Sequence, residues 1–154
     1  MRRAAITGHL ALPMICCGLL FDPSQASQDS RDKSRVGLDN LSHDMSTCAA
    51  YFSLLSSIIE KSPGSANSKN TAERMKTTGQ AMLTQAINVA NYIGVEQKVP
   101  VQRVEVALKE MVETINNDPP NSLRAMHTKY GQPCDELLVN APNRFRNLVE
   151  QHGD

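Results

Sequence analysis

Cysteine, histidine and methionine carry what reactive chemistry this chain has. Four cysteines occur, Cys16 and Cys17 in an apolar N-terminal run and Cys48 and Cys134 in the body of the sequence. If the first two leave with a cleaved leader, one intramolecular pairing remains, and an oxidising compartment favours it. On the loop-entropy model, closing a loop of about 87 residues stabilises the fold by roughly 4–5 kcal/mol. Cys48 and Cys134 are therefore expected as a disulfide.

Three histidines lie outside the N-terminal run, His43, His127 and His152. None belongs to a His-x-x-x-His pair, and no Cys-x-x-Cys is present for a metal, redox or haem site. His43 precedes Met45 by two residues and His127 follows Met126, a soft donor set that suits copper in an exported protein. The plainer reading is that Met45, Met75, Met82, Met111 and Met126 fill a helical core, where methionine adapts to irregular gaps. No cofactor is expected. A metal (copper) or small-ligand carrier using His43, Met45, Met126 and His127 is the alternative.

Catalytic patterns are missing from the sequence. No Gly-x-Ser-x-Gly elbow occurs, and no glycine-rich phosphate loop. Asp135 and Glu136 are adjacent, so on a helix they point about 100° apart. Glu110 and Glu113 share a face, but the solvent face of their helix. The expectation is a non-catalytic protein. Tyr130-Gly131-Gln132-Pro133-Cys134-Asp135 is the densest cluster of unusual residues, and it reads first as a helix junction anchored by its cysteine. Its functional reading presents Tyr130 and Asp135 to a partner, with Arg144 and Arg146 beside Phe145 as a small basic patch.

Sixteen basic and sixteen acidic residues balance, so no global field draws nucleic acid or acidic lipid to the chain. Met1-Arg2-Arg3 opens a mostly apolar run from Ala4 to Phe21, and Ser24 and Ala26 stand where signal peptidase admits small residues. Residues 1–26 are expected as a signal peptide, with an uncleaved anchor as the alternative. No stable membrane insertion is expected after cleavage. Gly8, Pro13 and Gly18 would make the run a poor permanent span.

Residues 27–36 are polar and charged and read as a disordered lead. Residues 37–154 read as a single helical-bundle domain. Leu38, Leu41, Met45, Cys48, Phe52, Leu55 and Ile59 step by three and four, the stripe of a helix burying one face and ending near Lys61. Asn70 and Glu73 resemble a capping box opening a second helix, whose stripe runs from Ala72 to Ile93 and whose stop is Gly94. A third helix begins near Pro100, with Val101, Val104, Leu108, Met111 and Ile115 as its stripe.

The last region opens with Asn121 or Ser122 as cap and carries His127, Tyr130, Cys134, Leu137 and Ala141 on one face, kinked or divided near Gly131-Gln132-Pro133. Pro142 should end it, leaving a short C-terminal helix with Phe145 and Leu148. The fold expected is all-α, an antiparallel bundle of about four helices plus that short helix. Its first and last long helices would be linked by Cys48–Cys134. The function expected is a periplasmic or secreted protein–protein interaction module, such as an inhibitor, immunity or assembly partner.

Overall fold

The computed structural model describes residues 23–62 and 66–153, with side chains placed for 28–62 and 67–151. All the regular structure among them is helical: α1 (Pro23–Lys61), α2 (Ala66–Tyr92), α3 (Lys98–Asn117), α4 (Ser122–Met126), a π turn (His127–Gly131) and α5 (Gln132–Gly153). The expected leader, residues 1–26, lies outside the described residues except for its last four, which already belong to α1.

At 1.5 Å per residue, the 39 residues of α1 reach about 58 Å, far more than one stripe requires. α2, α3 and α5 all pack on α1, and among the described residues neither α3 nor α2 brings its backbone against α5. α1 is therefore the axis. Its predicted stripe is buried at Leu38, Leu41, Met45, Cys48 and Phe52.

A second face of α1 is made of small residues. Ser42, Ala49 and Ser56 recur every seven positions, as do Ala72, Gly79 and Ala86 on α2, and all six are buried. One antiparallel register aligns the two sets. The Ser42 hydroxyl donates to the Ala86 carbonyl over 2.9 Å, and a Cβ on Gly79 would lie 3.1 Å from the Ala49 carbonyl oxygen. Small side chains let two helix axes come close, because the contact residues set the interaxial distance. The buried Ser46 hydroxyl donates to the Ser42 carbonyl one turn back, at 2.8 Å.

On its third side α1 runs antiparallel to α5. The Ser34 hydroxyl donates to the Leu148 carbonyl, Asp44 meets Arg144 at 3.2 Å, and Cys48 is disulfide-bonded to Cys134 with Cα atoms 5.4 Å apart. α3 is held to α1 by Arg103, whose guanidinium donates to both carboxylate oxygens of Asp39 at 2.9 and 3.0 Å.

Several expected boundaries move. Residues 27–36, expected as a disordered lead, are helical, because the buried Ser34 ties α1 to α5 and no Gly or Pro interrupts the chain between residues 24 and 36. Once a helix is nucleated, propagation into such a segment is favourable. Residues 28–33 stay exposed there, with a Lys33–Asp29 pair at 2.6 Å. α2 begins at Ala66, so the Asn70–Glu73 box is interior to it.

Gly94 does stop α2, at φ 74, with the Val95 amide donating to the Ala90 carbonyl and the Gly94 amide to that of Asn91. That is the Schellman closure. Val101, placed on the third stripe, is exposed. Asn121 makes no side-chain cap, and the Ser122 hydroxyl donates back to the Pro119 carbonyl instead.

Pro142 does not end the last helix. α5 continues through it to Gly153, so the expected short C-terminal helix is the far end of α5. Proline removes the hydrogen bond to the carbonyl four residues back. Burial of Ala141 and the packing of Phe145 and Leu148 against the core hold the helix across that gap.

Replacing Cys48 and Cys134 together by alanine should lower stability by about 4 kcal/mol, given the 86-residue separation. Urea unfolding of the double variant against the oxidised protein measures it.

Candidate functional site: a groove over the central helix

Because α3 and α5 both pack on α1 but not on each other, they leave a strip of α1 uncovered between them. His43 and Thr47 lie on that strip, one turn apart, and Tyr130 comes in beside them from the π turn. These three residues divide the opening into two connected grooves. The one toward α5 encloses about 410 Å³ and is lined also by Lys129, Glu136, Asn140 and Arg144. The one toward α3 encloses about 340 Å³, with Val99, Gln102, Val106 and Glu110 on its wall. The Cys48–Cys134 bridge and Leu137 form the apolar floor on the α5 side.

The π turn explains how Tyr130 arrives there. One extra residue in a helical turn rotates the downstream residues about the helix axis, a device common at functional sites. Met126, Tyr130, Gly131 and Cys134 are buried, whereas His127, expected on the same stripe, is exposed. Its Nδ1 and the Tyr51 hydroxyl lie 3.4 Å apart, within hydrogen-bonding reach. Both groups close over Gly131, where a Cβ would overlap the His127 ring and come within 2.7 Å of the Tyr51 hydroxyl oxygen. Burial first, and then the charge of Asp135, raise the pKa of Tyr51 above its ordinary value, so its phenol stays protonated.

Tyr130 is the unusual member of the site. The residue is 7% exposed, and its hydroxyl is buried without a hydrogen-bond partner among the described residues. Lys129 holds its ammonium 4.8 Å from the Tyr130 ring centroid, a cation–π distance.

Of the four partner-binding candidates, two meet in the groove and two do not. Tyr130 and Arg144 line it, Arg144 on the rim and paired with Asp44. Asp135 is exposed and acts on Tyr51 rather than on the groove. Arg146 is exposed and lines neither groove. Phe145, between the two arginines in sequence, turns its ring to the core side and packs edge-on against Tyr92 at 5.8 Å.

The copper alternative is not assembled either. His43 opens on the α3–α5 side, Met45 lines a separate cleft with Tyr92 and Phe145, and His127 lies against Tyr51. No three His, Cys, Asp or Glu side chains among the described residues converge as metal ligands.

Thr47, Val106, Lys129 and Asn140 join the site without any signal in the sequence. Thr47 sits off the predicted stripe, and the other three are exposed helix positions whose neighbours only tertiary packing supplies.

Tyr130→Phe deletes a buried hydroxyl that has no hydrogen-bond partner among the described residues, so it removes a desolvation cost and no hydrogen bond seen there. The variant should be as stable as the parent or more stable, by up to about 1–3 kcal/mol, as thermal unfolding would show. No protein-family model, curated protein or solved structure matches this chain.

Proposed function

We propose that this protein is an exported, non-catalytic helical module that binds another protein through the groove between α3 and α5. Inhibitor, immunity partner and assembly chaperone all fit this role. The observation that carries the reading is the uncovered strip of α1, where His43, Thr47 and the buried Tyr130 lie between two helix walls. A helix face left open between two others is a natural place for a partner segment. Val106, 59% exposed on the α3 wall, offers that segment an apolar contact.

The open shape of the grooves favours a protein segment over a small cargo, because carriers bury most of their ligand in a concave cavity. Separation of His43 from Met45 counts against a copper carrier in the same way. Export is supported by the Cys48–Cys134 bridge, which persists in oxidising compartments. No helix among the described residues is long and apolar enough to cross a membrane.

Two measurements test the proposal. A photo-crosslinking residue at Val106 or Asn140, introduced in the native host, should give one discrete heavier species. The same residue at Thr84, exposed on α2 and lining neither groove, should not. Equal products from all three positions, or none from the groove, would sink the groove as the contact surface. Intact mass of the exported protein should correspond to residues 27–154, with Cys48 and Cys134 alkylated only after reduction. A full-length mass with freely alkylated cysteines would overturn export and cleavage.

A further inference from the structure

We infer that the Lys129–Tyr130 end of the groove receives a carboxylate from the partner, on an acidic side chain flanked by apolar residues. This rests on the reading of the groove as a protein-binding surface and names the chemistry it selects. Three cationic side chains line the two grooves, and two of them are committed. Arg103 gives its guanidinium to the carboxylate and carbonyl of Asp39, and Arg144 is paired with Asp44. Lys129 has no ion-pair partner among the described residues. The pKa of Lys129 is raised, first by its side-chain interaction with the Tyr130 oxygen and least by the charge of Glu110, against a desolvation cost.

The Tyr130 ring lies 4.8 Å from that ammonium, and its buried hydroxyl reaches no acceptor among the described residues. A buried polar group left unpaired is costly, and the cost is recovered when an acceptor arrives. An ammonium and a phenol O–H side by side are two donors for one carboxylate, and bonds to a charged acceptor are the stronger kind. The Thr47 hydroxyl is a third donor. Ser46, Thr78 and Thr84 each donate to the carbonyl four residues back, and no such bond is made by Thr47.

The rest of the lining says where the acid goes and what flanks it. Glu110 and Glu136, both exposed, line the two grooves and disfavour a carboxylate that meets no cation, and Lys129 is the lining cation without an ion-pair partner among the described residues. Pro133, Leu137 and the disulfide provide an apolar floor beside that end for a neighbouring aliphatic side chain. Charge and hydrophobicity are thus laid side by side, as they are in a short acidic-apolar sequence.

The test is a titration of isotope-labelled oxidised protein with a blocked Leu-Glu-Leu peptide and its Leu-Gln-Leu counterpart, read by amide chemical shifts. The Glu peptide should give saturable shifts at Thr47, Lys129 and Tyr130, with the Gln peptide weaker by about tenfold. Lys129→Gln, at an exposed position, should erase that difference. Tyr130→Phe should weaken the Glu peptide several-fold without loss of fold.

Equal response to both peptides, no response to either, or a preference surviving in Lys129→Gln would overturn the inference. If the crosslink at Val106 still reports a partner in that case, the protein-binding reading stands and only the carboxylate preference falls. If the Glu peptide binds as expected and no crosslink forms, the preference stands and the protein-partner reading falls.

Discussion

One helix serves as the common partner of all the others. A helix wrapped on three sides cannot be built from a single apolar stripe with a polar remainder, and α1 is not. Leu38, Leu41, Met45, Cys48 and Phe52 supply the large buried side chains, while Ser42, Ala49 and Ser56 supply a face narrow enough for close approach of α2. Serine suits that face because its hydroxyl satisfies itself on a nearby carbonyl, as Ser42 and Ser46 do. The three flanking helices then fit around α1 without closing on one another everywhere, and the unclosed sector is the groove.

α5 has the least backbone support of the long helices, since its backbone comes against α1 and the adjoining π turn but against neither α2 nor α3, and it meets α2 through side chains such as Phe145 on Tyr92. Two devices compensate. The Cys48–Cys134 bridge fixes its first turn to the middle of α1, and the Ser34–Leu148 hydrogen bond ties its far end to the first half of α1. Between them the helix tolerates Pro142. The π turn upstream is accommodated by Gly131, whose missing side chain lets Tyr51 and His127 meet above it. The same turn delivers Tyr130 into the groove.

The site that results combines a satisfied frame with an unsatisfied centre. Asp39–Arg103 and Asp44–Arg144 neutralise charge at the two walls and hold α3 and α5 in place. Between them stand Lys129 without an ion-pair partner and the Tyr130 hydroxyl without a hydrogen-bond partner among the described residues. Core polar groups are ordinarily paired, so an exception of this kind marks a place where the fold accepts a cost. In a surface groove that cost is recoverable by a partner.

Local regularities were legible in the residues alone. The three-four spacing from Leu38 to Ile59 and the stop at Gly94 are properties of neighbours in the chain, and periodicity and backbone stereochemistry read them directly. The disulfide followed from counting the cysteines that remain after the N-terminal run. Features that depend on distant contacts were not legible. Residues 27–36 look disordered until Ser34 finds Leu148, and Pro142 looks like a terminus until burial of Ala141 and Phe145 carries α5 past it. The groove was the least visible feature, because the pair His43 and Thr47 stands far from the pair Lys129 and Tyr130 in the sequence. They share only the sector that α3 and α5 leave open on α1, and packing three helices around one decides where that sector falls.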